Sequence, residues 1–388
     1  MDGRKAVSYM GLSHRDRVIL AINRKEPDRP PSDLGGPAWS IVETPPYGYS
    51  ELCEYLGLKD VSLSLKGGSK IVASLDERLL KRFDIDFRWV KMDSPEKELP
   101  GDIVEDCFGV RWKLAVDHYY PIDPPLRDAK SLVDIEDYSG WPDPEDPVFT
   151  DGKREEARKL QEETDYAVGG DIGIVRSVFH MYAFLRGFNQ WFIDMKINPE
   201  FYKALSDKML ELNTQVLERF LGEVGDYLDV VYLSDDAGAQ SGLLMSVEDY
   251  RKYFKPWFKI SVNNLKRMVP KAKILYHTCG SVYPLIPDFI ECGIDVLNPI
   301  QPLAKNMEPE RLKHEFGDKI CFHGGIDQQK VLPLGKPEEV KSYVERVLSV
   351  MAPGGGYIMA PSHQIQGDVP PENIYTMYMT LLEYSGGR

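Results

Sequence analysis

Lys273-Ile274-Leu275-Tyr276-His277-Thr278-Cys279-Gly280 is an apolar run that ends in reactive side chains and a glycine. A strand alternates its faces, so His277 and Cys279 project together, imidazole beside thiol, where the run gives way to a turn. The same pattern recurs along the C-terminal half. Asp226 to Leu233 is an apolar run ending in Ser234-Asp235-Asp236, and Ile294 to Leu297 leads to Asn298-Pro299-Ile300-Gln301-Pro302. Lys319 to Phe322 ends in His323-Gly324-Gly325-Ile326-Asp327, and Tyr357 to Ala360 in Pro361-Ser362-His363. Helical patterns fill the intervals. Ser246 opens a helix with Tyr250, Tyr253, Phe254, Trp257 and Ile260 on one stripe and a kink expected at Pro256. Further helices are expected toward Phe289-Ile290, over Pro309 to Phe316, from Pro337 through Met351, and over Glu372 to Tyr384.

Strands alternating with helices imply parallel βα units, closed either as an open doubly wound sheet or as a (β/α)8 barrel. The GxGxxG turn of a nucleotide-binding sheet is missing at every strand end. Polar groups instead follow strand after strand, as they do on the C-terminal face of a barrel. The expected fold is therefore an α/β (β/α)8 TIM barrel with an N-terminal extension. Ser13 to Arg24 reads as a helix with a capping-box-like start, Pro30 to Asp33 as a first barrel strand, and Tyr166 to Gly170 as another. Asn198-Pro199-Glu200 opens a long helix. Residues from about 90 to 150, rich in Pro, Asp and aromatics, read as a β-hairpin around Cys107 to Lys113 followed by loops. With no internal repeat and no low-complexity linker, residues 1–388 are expected to be one domain carrying that excursion.

Composition narrows the partners. The formal net charge is -14, and no Lys/Arg run is interleaved with aromatics, so nucleic acid is not expected. The five cysteines (53, 107, 279, 292, 321) do not form a disulfide framework. No apolar stretch approaches the roughly 20 residues of a membrane span, and Met1-Asp2-Gly3-Arg4-Lys5 lacks the apolar core of a signal peptide. A cytoplasmic protein is expected, and a homodimer is compatible with the sequence.

Imidazole plus thiolate is a zinc-type donor set, and a catalytic zinc takes a third protein ligand with one position open. The alternative is a satisfied core histidine beside an inert cysteine. A barrel gathers the strand ends into one mouth, so the third ligand is sought there: His363 first, with Cys321 and His323 as competitors. Asp235 and Asp236 are candidates for a further ligand, an acid/base group or a carboxylate orienting an imidazole, the plain alternative being a helix cap. His323 is a candidate hydrogen bonder to substrate, and Gln240, Tyr276, Gln301 and Asp327 are expected to line the pocket. An HExxH helix is absent, which argues against the common zinc-peptidase arrangement.

Asp235-Asp236, His277-Thr278-Cys279-Gly280, Gly324-Gly325-Ile326-Asp327 and Ala360-Pro361-Ser362-His363 together resemble the uroporphyrinogen decarboxylase superfamily. Within it the chain is most similar to the zinc- and cobalamin-dependent methyltransferases of the methylcobalamin:coenzyme M type. The resemblance runs over residues 225 to 388. It implies a (β/α)8 barrel with zinc on a His-x-Cys pair plus a later Cys, and methyl transfer between a corrinoid and a small methyl donor or thiol acceptor. Carried onto this chain, the pair is His277 and Cys279, and the later Cys falls at about His363. A nitrogen there leaves one anionic donor fewer and a more electrophilic zinc. The Asp-x-His-x-x-Gly signature of corrinoid-carrying modules is absent, so the corrinoid is expected on a separate partner protein. The decarboxylase branch should carry Arg-Gln-Ala-Gly-Arg near Pro31, where this chain reads Pro31-Ser32-Asp33-Leu34-Gly35-Gly36. Two rival readings follow. One is a decarboxylase of a carboxylated substrate, with Asp86 or Asp235 stabilising a protonated pyrrole. The other is a barrel that binds a small molecule or corrinoid protein without catalysis.

Overall fold

The computed structural model describes residues 11–65, 69–115, 118–176 and 179–385; the stretch Met1 to Lys5 lies outside them. Seven parallel strands run in chain order around the sheet: β1 (Phe87–Lys91), β2 (Ala167–Asp171), β3 (Val230–Ser234), β4 (Lys273–His277), β5 (Val296–Ile300), β6 (Cys321–Ile326) and β7 (Tyr357–Pro361). The segment expected as a first strand joins the two edges as a short stave. Met359 N–H donates to Pro31 O (2.8 Å), Asp33 N–H to Met359 O (3.0 Å), and Asp86 N–H, just ahead of β1, to Ser32 O (3.1 Å). The sheet is thereby curled into a TIM-barrel-like α/β fold, as the sequence pattern implies.

Period-two alternation sorts the strand residues. Phe87, Ala167, Val230, Leu275, Val296, Cys321 and Ile358 point inward. With Trp39, Tyr232, and Val18 and Ile22 of the first helix (His14–Ile22), they form a buried apolar plug. The outward-facing residues, Ile274 and Tyr276 among them, pack under the helices in a second, larger cluster. Gly169 on β2 has a local reason: a Cβ there would lie 2.5 Å from the Trp89 ring.

Two helical expectations are refined. Ser13 caps the first helix by accepting the Asp16 N–H, as its sequence suggests. The segment after Ser246 is two helices, Val247–Tyr253 and Lys255–Met268, rather than one kinked helix. Pro256 sits in the first turn of the second, where its missing N–H leaves no bond unmade. The excursion leaving β1 is larger than a hairpin. Glu96–Leu99, Ile103–Asp106, Arg111–Ala115 and His118–Ile122 form a four-stranded antiparallel meander. Trp112 packs edge-on against Phe184 (4.7 Å between centroids), laying the meander against the helix Phe179–Arg186. Among the described residues no helix is long and apolar enough to cross a membrane.

Candidate metal centre

One level above the apolar plug the strands carry polar side chains. The register dictates this: His277, Asn298 and His323 each follow an inward apolar residue (Leu275, Val296, Cys321) by two positions, and His277 pairs directly with Asn298. The result is a hydrogen-bonded belt around the inner wall. His277 Nδ1 lies 2.5 Å from Asn298 Oδ1, Asn298 Nδ2 lies 2.7 Å from His323 Nδ1, and His323 Nε2 lies 3.2 Å from Asp33 Oδ2. Trp89 Nε1–H donates to Asp33 Oδ1 (3.1 Å). With Nδ1 engaged by the Asn298 carbonyl, His277 presents Nε2 to the mouth.

There Nε2 meets the Cys279 sulfur at 3.4 Å. Two donors on one tetrahedral zinc lie roughly 3.5 Å apart, so this pair is spaced to share an ion. His363 completes the group: the ligand atoms of His277, Cys279 and His363 all lie within 4.8 Å of one another. Cys279 and His363 are half-buried and open toward the mouth, while His277 is buried. Gly280 shapes the turn: its φ is +81°, and a Cβ would strike the backbone of Gly238 and Ala239 at 2.7 Å.

Asp236 stands beside these three. Its Oδ1 accepts the Cys279 N–H (2.7 Å) and lies 3.8 Å from His277 Nε2, while Oδ2 lies 3.8 Å from His180 Nε2. Burial would push this carboxyl up, but His180, His277 and the Cys279 N–H hold it below the usual carboxylate range. Burial pushes the Cys279 thiol well up and the Asp236 charge adds to that, opposed by the Gln301 amide. The donor set therefore fits zinc, whose charge would stabilise the thiolate that burial disfavours.

The other sequence candidates fall in distinct places. Gln301 is buried at the mouth, its Oε1 accepting from Gly280 N–H (2.9 Å) and from the exposed Gln240 amide (2.7 Å). Asp235 is buried and accepts the N–H groups of Phe179 and His180, fixing the start of their helix. Asp327 likewise accepts backbone N–H groups, from Gln329, Lys330 and Val331. The expectation that Tyr276 lines the pocket is corrected by its direction: it faces outward between Phe258 and Phe289, and its hydroxyl donates to Asp235 O. Cys321 lies in the apolar plug, below the ligand level. His323 is fully buried and engaged in the belt. Asp86 is fully buried ahead of β1, at the end opposite the mouth, which takes it away from the pyrrole-binding role of the decarboxylase reading.

Sequence reading missed Asp33, Asn298, Trp39 and His180. Trp39 packs over His323 with ring centroids 4.4 Å apart, and His180 stacks on Phe184 while facing Asp236. The repeated spacing of Leu275 to His277, Val296 to Asn298 and Cys321 to His323 was the available signal, since it places all three polar groups on one inner level.

The profile of the uroporphyrinogen decarboxylase (URO-D) family matches residues 124–384, more than half of the chain. Uroporphyrinogen decarboxylase of Chlorobaculum tepidum is 23% identical over 178 residues, covering 43% of this chain and 49% of that protein. The enzyme of Trichodesmium erythraeum is 25% identical over 189 residues, covering 46% and 50%. The chain thus spans about half the length of these relatives. Among solved structures, a methyltransferase from Methanosarcina mazei superposes with a TM-score of 0.64 over 96% of this chain and 99% of that one, at 16% identity, which is a likeness of fold. On the extent of the profile match, the chain belongs to the uroporphyrinogen decarboxylase (URO-D) family.

Proposed function

We propose that this chain is a zinc-dependent methyltransferase, moving a methyl group between a small methyl donor or thiol acceptor and a corrinoid carried by a partner protein. The observation that carries the reading is the convergence of His277 Nε2, Cys279 Sγ and a His363 nitrogen on the C-terminal side of the barrel. The likeness in fold to the Methanosarcina mazei methyltransferase supports it. Zinc held by these groups would supply a Lewis-acidic centre to polarise an ether oxygen or favour a thiolate. Asp236, between His180 and His277, holds a carboxylate beside the thiol and is placed to take or return the proton of a thiol or alcohol. The Gln301–Gln240 pair provides amide groups for a polar substrate, and the apolar plug beneath excludes water from below.

The test is metal content together with turnover. Purified protein should carry about one zinc per chain, and Cys279→Ala should lose both the zinc and methyl transfer from candidate donors to free cob(I)alamin. Metal-independent release of CO2 from a porphyrinogen, with Cys279→Ala fully active, would overturn the reading in favour of a decarboxylase.

A further inference from the structure

The belt beneath the ligands has a direction, and one residue sets it. Asp33 is pinned at its main chain: its N–H donates to Met359 O, and the Tyr378 hydroxyl donates to its carbonyl. Its Oδ1 accepts the Trp89 indole N–H, a group that can only donate. Oδ2 then faces His323 Nε2 and accepts from it, so the His323 ring proton sits on Nε2 and its Nδ1 offers a lone pair. That lone pair takes the amide N–H of Asn298, which turns the amide oxygen toward His277. The oxygen in turn requires the His277 proton on Nδ1, so the Nε2 lone pair faces Cys279.

Reversing any one bond reverses them all. An Asn298 amide turned the other way would donate to His277 Nδ1, put the proton on Nε2 and close the ligand position. It would also leave the His323 Nε2 lone pair against the Asp33 carboxylate. Bulk solvent does not reach the belt: Asp33 and His323 have no exposed surface, and Asn298 and His277 are 1% and 4% exposed. We propose that Asp33 is a positioning residue: acting through His323 and Asn298, it dictates which nitrogen of His277 carries the ring proton and so keeps Nε2 the unprotonated, electron-pair-donating one. The consequence for zinc rests on the metal reading above; the proton placement does not.

The belt supplies its own test, because the charge can be moved. In Asp33→Asn the Trp89 N–H retains the amide oxygen, so the new NH2 faces His323 Nε2 and drives the chain backwards. Adding Asn298→Asp places a carboxylate between two imidazole N–H groups, which restores the proton on His277 Nδ1. Zinc affinity is read by chelator competition, and the His277 tautomer by 15N spectra of histidine-labelled, metal-free protein. Asp33→Asn is expected to raise the zinc Kd about 10- to 100-fold, and the double variant to return it to within about threefold of wild type. The His277 signals should move from the Nδ1–H to the Nε2–H pattern and back. Unchanged tautomer and affinity in Asp33→Asn would overturn the proposal. So would a double variant as impaired as the single one, which would mean only that the barrel wall had been damaged. If wild type takes up no zinc, the metal reading falls, and the tautomer spectra alone decide the role of Asp33.

Discussion

Under the proposed metal reading, Cys279 would couple metal capture to pH. Burial and the Asp236 charge keep its thiol protonated near neutrality, whereas zinc binds the thiolate, so binding must release that proton. The sign follows: affinity rises as pH rises, by about tenfold per pH unit for one proton, as long as the pH stays below the thiol pKa. Zinc titrations at several pH values, with proton release followed by a dye, should show this slope, and a flat profile would contradict the thiolate ligand. At this scale the three metal-binding candidates were legible because histidine and cysteine are rare and chemically marked. Asp33 and Asn298 were not. Asp33 read only as the end of a first strand and Asn298 only as a residue following a strand end; the two-residue spacing could have placed Asn298 on the inner level, but nothing local joins Asp33, 290 residues from His323, to it.

The barrel closes through a buried ionic clasp ahead of β1. Asp86 accepts from Arg17 Nη1 (2.6 Å), Arg29 Nη1 (2.7 Å) and Ser32 N–H (2.7 Å), and its Oδ1 lies 2.8 Å from His14 Nδ1. Burial raises the Asp86 pKa, but His14, Arg29 and Arg17 outweigh it and hold the carboxyl below its usual range. A depressed folded value means stability that is present above the unfolded value of about 3.9 and is lost as pH falls through the folded one. Asp86→Asn leaves two buried guanidinium groups short of a counter-charge, which costs about 3–5 kcal/mol in comparable cases. Asp28 and Asp84 still pair with Arg17 and Arg29, so the lower end is expected. Urea denaturation at neutral pH checks it, and the loss should shrink on acidification. Elements with strong periodicity, such as Pro337–Met351, were legible to within a residue or so. The clasp was not, because its partners lie 54 to 72 residues apart and no local pattern joins them. The meander was only partly legible: its strands are short and amphipathic on an exposed sheet, and one hairpin was read where four strands form.

For the molecule as a whole, metal and fold should be linked. The candidate ligands lie at the end of β4, just beyond it and just after β7, so an ion bound in the native state would tie distant parts of the barrel wall together. Zinc at a hundred times its Kd should stabilise the native state by about 2.7 kcal/mol, and Cys279→Ala should show no such gain in thermal melts. The barrel itself was legible from the recurrence of polar residues after apolar runs, since that rhythm reports one active face at the ends of many strands. What fills the barrel was less so, because Trp39 enters from a loop whose glycines and prolines resemble a surface turn. That plug has a consequence for traffic. The plug closes the barrel from below, so under the proposed function a small molecule and a much bulkier protein-borne cofactor would both approach from the C-terminal side of the strands. On that reading the small molecule would enter before the larger visitor seats itself and would leave only after that visitor withdraws. Turnover would then follow a compulsory order, and a surplus of partner protein would slow the reaction by shutting the door on an empty room.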